Sequence, residues 1–208
     1  MMPLLLAQWF CYFLFYSFGG WCAEILWCAT IDKKLHSRGF LYGPLCPIYG
    51  FGALISLTTY QAFQLPWWGN FLLIIIFSSV FEYFTSFLME KIFHLRWWDY
   101  TKDTKFSLNG RISLETTIGF GLGGLFAIYI VQPNLVNLIS KIPEHIIFPF
   151  AIIALIMLSI DFIISTVVSF KAKSVLTGGR IDRTPEIKRY AAKFFVIPRP
   201  ILKRRKKS

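Results

Sequence analysis

Apolar residues run in blocks of 20 or more along this chain, and that block length narrows the possible folds further than anything else in the sequence. A helix needs about 20 residues to cross the hydrocarbon layer of a bilayer. Lipid offers no partners to backbone N–H and C=O groups, so each block must satisfy its own hydrogen bonds as a helix. A membrane β-barrel would need short segments alternating apolar and polar residues, and the sequence has none of that pattern. The expected fold is therefore all-α: a polytopic membrane helix bundle of about five transmembrane helices over 5–29, 43–65, 69–93, 112–132 and 146–170. Pro66 and the Pro133-Asn134 pair mark two of the breaks. Pro44 and Pro47 fall in the first turns of the second span, where a missing N–H costs least.

Composition agrees. Of 208 residues 55% are hydrophobic and only 16% charged, against about 25% charged in soluble domains. The net charge of +11 comes from one place: residues 171–208 hold 13 Lys/Arg and 2 Asp/Glu, while 1–170 hold nine of each sign. The division into a transmembrane domain, 1–170, and a basic tail, 171–208, follows from that step. Thr184 and Pro185 start a short interfacial helix in this reading. Lys203, Arg204, Arg205, Lys206 and Lys207 then suit anionic lipid headgroups; nucleic acid is the less favoured partner. Cys11, Cys22, Cys28 and Cys46 lack paired spacing and read as small buried hydrophobes. The first block has neither a positive leader nor a small-residue cleavage site, and reads as a retained helix.

Orientation follows from the connecting segments. Lys33, Lys34 and Arg38 follow the first block, and Lys91, Arg96, Lys102, Lys105 and Arg111 surround the end of the third. The segment at Pro66 is uncharged, and the one after Pro133 has Lys141 and Glu144. The positive-inside rule then puts the N-terminus outside and the C-terminus in the cytoplasm, with 21 of the 22 basic residues inside. Glu24 and Glu82 each precede a basic loop and a helix containing Gly-Phe-Gly, a faint internal echo of a two-hairpin repeat.

Five acids lie in or at the ends of the apolar blocks: Glu24, Glu82, Glu90, Glu115 and Asp161. An ionised carboxylate at the bilayer centre costs about 2.5–3.5 kcal/mol even on insertion scales. Glu90 and Glu115 sit near the membrane surface, within reach of Arg96 and Arg111. Glu24, Glu82 and Asp161 are too deep for short side chains to snorkel. They point to a polar cavity facing the cytoplasm. Gly119, Gly121, Gly123 and Gly124 give the fourth block a small-residue face. No Walker A, HExxH or GxSxG pattern occurs, so the chain carries no ATPase motif, no cofactor is implied, and an enzyme is the less favoured class. His36 and His94 lack a third ligand for a metal.

The cytoplasmic segments carry ordered motifs: Arg38-Gly39-Phe40-Leu41-Tyr42-Gly43-Pro44, then Pro47-Ile48-Tyr49-Gly50, Trp97-Trp98-Asp99-Tyr100 and Asn109-Gly110-Arg111. With Trp21 and Glu24 they resemble the bacterial membrane family named "Putative ABC-transporter type IV", the CmpB-like permeases, over about residues 17–132. The resemblance implies a plasma-membrane permease subunit working with a separate ATPase. Read from chemistry, Arg38 and Arg111 are fork donors for phosphate or carboxylate, and Trp97, Trp98 and Tyr100 favour the headgroup zone. The leading expectation is a permease-like component whose cavity is lined by Glu24, Glu82, Glu115 and Asp161, with Arg38, Arg111, Asp99 and Asn109 at its mouth. Five spans suggest a homo-oligomer or a partner subunit. A membrane enzyme acting on a lipid headgroup and a non-catalytic scaffold are the alternatives.

Overall fold

The computed structural model describes residues 2–30, 39–94, 96–101, 104 and 106–175. Arg38, His36, Lys33, Lys34, Lys102, Lys105 and the tail from 176 onward, with its expected interfacial helix and basic cluster, lie outside the described residues. The described chain is mostly helical. Helix α1 is Met2–Thr30, α2 is Pro47–Phe63 and α3 is Trp67–Phe93. A two-stranded hairpin follows, β1 Ser107–Leu108 and β2 Ile112–Ser113, then α4 Leu114–Phe126, a π-helical turn Ala127–Val131, α5 Gln132–Ile139 and α6 Glu144–Val175.

Among the described residues three helices are long and apolar enough to cross a membrane: Trp67–Phe93, the continuous Leu114–Ile139, and Glu144–Phe170. Only 11% of the most apolar window of the last is buried within the protein. Ile152, Ile153, Ile156, Ile160 and Ile163 are all more than half exposed. A face that apolar suits hydrocarbon or another apolar surface, not water. The chain is a membrane protein.

Where helices begin and end differs from the block boundaries, and three of the differences have a clear local reason. The second helix starts at Pro47 rather than at 43. Gly43 and Cys46 each precede a proline, which disfavours helical backbone, and the N–H groups of Tyr42 and Gly43 are taken by the Asp161 carboxylate at 3.0 and 2.9 Å. The fourth helix starts at Leu114, because Ser113 caps it: its hydroxyl accepts from the Thr116 N–H while the Thr116 hydroxyl accepts from the Ser113 N–H. The expected break at Pro133 is absent. The π-helical turn routes the Gln132 N–H to Ala127 O, and Pro133 enters the first turn of α5, where its missing donor costs nothing. Two helices end on left-handed residues, Gln64 and His94, whose N–H groups return to Tyr60 O and Glu90 O.

Helix α2 lies between α1 and α3, and α4 packs on α3. Glycines set the α1–α2 approach: a Cβ on Gly20 would fall within the Tyr49 ring, and one on Gly50 would meet Ser17 and Phe13. The apolar core forms from Ala7, Cys11 and Tyr12 against Leu135, Ile139 and Ile147. A second layer joins Leu57, Ile74 and Ile128. Phe93, Trp97 and Val168 form a third layer at the end of α3. Cys11 and Cys46 are buried and Cys22 half-buried.

Candidate functional site

Three polar assemblies gather at the loops that join α1 to α2 and α3 to α4. The first is a pair of glutamate–tyrosine contacts. Tyr49, on the first turn of α2, donates its hydroxyl to Glu24 of α1 at 2.5 Å. Tyr100, in the loop after α3, donates to Glu82 of α3 at 3.1 Å. Glu82 is 3% exposed. Phe120 of α4 packs on the Tyr49 ring with centroids 5.6 Å apart. Tyr100 is held in place by its own backbone, whose N–H donates to Gly110 O at 2.9 Å. Three helices and one loop thus deliver two carboxylate–phenol pairs, Glu24 with Tyr49 and Glu82 with Tyr100.

The second assembly is an ion-pair cluster. Glu90 receives Arg96 Nε at 2.8 Å and Arg111 Nη2 at 2.6 Å. Arg96 also donates to Asp99 at 3.3 Å and to Asn109 O at 3.0 Å. Arg111 reaches Ser86 at 3.2 Å and lies 5.5 Å from the Tyr83 and Phe87 ring centres. The Asn109 amide donates to the Tyr83 hydroxyl at 3.0 Å, and Trp98 Nε1 donates to Arg111 O at 2.9 Å. Asp99 further accepts from the Thr101 N–H at 3.1 Å and from the Thr101 hydroxyl.

The hairpin turn makes this cluster possible. Asn109 and Gly110 both have positive φ, 55° and 68°, and the Arg111 N–H closes the turn on Leu108 O at 3.0 Å within the three-residue connection 109–111. Ser107 pairs with Ser113 and Leu108 with Ile112. A Cβ at Gly110 would strike the Asp99 carboxylate, so the glycine is needed for both its backbone angle and its size.

The third assembly centres on Asp161 of α6, which holds the Tyr42 and Gly43 N–H groups and accepts from the Ser165 hydroxyl at 3.2 Å. A Cβ on Gly43 would stand 2.9 Å from its Oδ2. Asp161 therefore fixes the loop leading into α2. It also borders an apolar groove of about 990 Å³ between α1 and α6, lined by Leu14, Phe18, Pro44, Ile146 and Met157 among others. Glu24, Glu82 and Glu115 do not line that groove.

The residues singled out in the sequence thus separate. Glu24 pairs with Tyr49 and Glu82 with Tyr100; Arg111, Asp99, Asn109, Gly110 and Trp98 join a cluster with Glu90 and Arg96; Asp161 and Gly43 form a loop anchor. Glu115 stands apart and exposed in the first turn of α4, where an acid suits the helix dipole. Trp21 is half-buried and stacks on Phe18. Gly39 is buried in the first loop, and Trp97 packs against Phe40 and Phe93. Pro47 opens α2, three residues before Gly50. No group of three or more His, Cys, Asp or Glu side chains is placed to hold a metal among the described residues. Two contributors escaped the sequence reading: the tyrosines as partners of the acids, and the Asn109-Gly110 turn, which has the spacing of a hairpin between Leu108 and Ile112.

No curated protein matches the chain, and no solved structure does. One family profile matches residues 11–166, three quarters of the sequence. The match extends past the motif-bearing stretch through most of the last membrane helix and includes Asp161. All three polar assemblies lie within it, on a helical membrane scaffold. The chain belongs to the family described as "Putative ABC-transporter type IV".

Proposed function

We propose that the chain is the membrane-spanning, permease-like subunit of a bacterial transporter, working with a separate ATPase. Its two acid–tyrosine pairs, Glu24 with Tyr49 and Glu82 with Tyr100, are stations on the solute path. Five spans with the N-terminus outside and the C-terminus inside accommodate both the apolar blocks and the basic loops. By length α1, with 29 residues, reaches about 43 Å at 1.5 Å per residue and spans with tilt. Helix α2, with 17 residues, covers about 25 Å and completes its crossing with the loop that Asp161 holds.

One observation carries this reading: two acids on different membrane helices are each held by a tyrosine from another segment, Glu24 by Tyr49 and Glu82 by Tyr100. Intramembrane acids sheltered in this way mark solute or ion pathways. The tail would hold anionic headgroups, and the exposed apolar face of α6 leaves room for a second copy or a neighbouring subunit.

Affinity purification of the full chain from crosslinked bacterial membranes tests the proposal. The expected result is recovery of a nucleotide-hydrolysing subunit, with hydrolysis that falls when Glu24→Gln or Glu82→Gln is introduced while the association persists. Recovery of the chain without any ATPase, or hydrolysis indifferent to both substitutions, overturns it.

A further inference from the structure

The hairpin between α3 and α4 carries an apolar face that none of the polar assemblies uses. Successive residues of a strand point to alternate sides, and directly paired residues share a side. Leu108 pairs with Ile112, and the Leu114 N–H donates to Phe106 O at 3.1 Å, which extends the pairing by one step. Phe106, Leu108, Ile112 and Leu114 therefore fall on one side, with Ser107 and Ser113 on the other. The serine side faces the protein, where Ser113 is buried. On the opposite side Phe106, Leu108 and Leu114 are each more than half exposed. Phe106, at 69%, is the most exposed large apolar side chain among the described residues.

Two observations identify the medium that this face meets. The first is continuity. Leu114 begins a row on α4 that runs through Ile118, Leu122 and Phe126, all exposed, on a helix long and apolar enough to cross a membrane. Residues four apart share one helix face, so the hairpin extends a surface that already meets acyl chains. The second is depth. Asn109, at the hairpin tip, donates to the Tyr83 hydroxyl, Arg111 reaches Ser86, and Thr117 in the first turn of α4 meets Ser79. Tyr83 lies ten residues before the end of α3 at Phe93, about 15 Å along the helix axis. The connection thus folds back beside the last turns of α3. Those turns still present Phe84, Leu88 and Ile92 outward, so the hairpin sits level with an apolar surface.

Two features limit how deep it goes. A two-stranded sheet leaves an open edge on each strand, which hydrocarbon does not satisfy. Glu115, next to Leu114, is exposed, and an ionised carboxylate is costly among acyl chains. Both place the hairpin at the boundary between headgroups and acyl chains, where amphipathic elements lie with the apolar face down. Residues 102–105, just ahead of it in the sequence, carry two lysines against one aspartate, which suits anionic headgroups.

We propose that the α3–α4 hairpin is a re-entrant membrane anchor whose face of Phe106, Leu108, Ile112 and Leu114 binds the lipid surface at the headgroup–acyl boundary. The leaflet is the one at the C-terminal end of α3, the inner one in the orientation proposed above. The inference goes beyond the transport reading and needs it only to name that leaflet. Through Asn109, Gly110 and Arg111 the anchor ties the lipid layer to Tyr83, Tyr100 and Glu90.

The test places photoreactive p-benzoylphenylalanine at Phe106, at Leu108 and, for comparison, at Leu122, in the full chain expressed in bacterial membranes. Adducts formed on irradiation are identified by mass. The expected result is phospholipid adducts outnumbering protein adducts at all three positions. Protein adducts in equal or greater number at Phe106 or Leu108, whether to a second copy or to another subunit, overturn the proposal. So does the absence of phospholipid adducts there while Leu122 forms them. Hydroxyl-radical labelling of the unsubstituted chain in nanodiscs serves if the photoreactive variants do not fold. Phe106 should react more than about fivefold slower than in the unfolded chain, because lipid excludes water from its exposed face. A smaller slowing, which the protein's own slight cover of Phe106 explains, overturns the proposal as well. Neither readout depends on whether an ATPase is recovered, so this site and the transport reading can fail separately.

Discussion

Glu90→Ala is expected to be the most damaging single truncation in the ion-pair cluster, and its size follows from the contacts. The carboxylate receives one charge-assisted hydrogen bond from each of two arginines whose side chains are 5% and 10% exposed. Hydrogen bonds to charged groups contribute about 1.5–3 kcal/mol each, and removing one partner of a buried pair costs about 3–5 kcal/mol. Two features reduce that figure. Glu90 is itself 32% exposed, so water screens part of the interaction. Arg96 also keeps Asp99 and Asn109 O, while Arg111 keeps Ser86 and two aromatic faces. The expected net loss is about 2–4 kcal/mol. For a chain of this length that corresponds to a fall in Tm of about 4–16 °C, measured by thermal unfolding in lipid nanodiscs. Glu90→Gln, which keeps shape and an acceptor, should lose about half as much. A loss below about 0.5 kcal/mol for Glu90→Ala would mean that the cluster behaves as an exposed surface pair, and the reasoning from burial would be wrong.

Two further substitutions test the other local arrangements. Gly110→Ala combines a positive φ of 68° with a clash against Asp99, and should cost about 1–3 kcal/mol by opening the hairpin; faster amide exchange at the turn and at the Tyr100 N–H is the readout, and unchanged exchange refutes it. Asp161→Asn leaves one carbonyl oxygen where two carboxylate oxygens served the Tyr42 and Gly43 N–H groups, so one donor is orphaned at about 1–3 kcal/mol. Proteolysis within 39–46 should then accelerate, and an unaltered cleavage rate would show that Asp161 does not pin this loop.

The acids illustrate how far sequence reaches. Their depth along apolar blocks already required that they find shelter, because charge in hydrocarbon is expensive whatever the packing. Depth along a block is a one-dimensional property, but what each acid meets depends on helix rotation and crossing, which the blocks do not encode. Glu24 meets Tyr49 because Gly20 and Gly50 let α1 and α2 close together, while Glu82 meets Tyr100 of the loop after α3. Asp161, equally deep, is turned to a loop backbone instead.

The sequence by itself determined the class of fold and the family, since block length, charge placement and ordered motifs are properties of the chain read in one direction. It also located the clustering of motif residues around 96–111. Only the tertiary structure decided which partner each polar group takes. Arg111 pairs with Glu90 rather than the exposed Glu115, and each deep glutamate finds a tyrosine from another segment. The physical reason is that hydrogen bonds and ion pairs act over about 3–4 Å, a scale set by helix packing and turn geometry rather than by spacing along the chain.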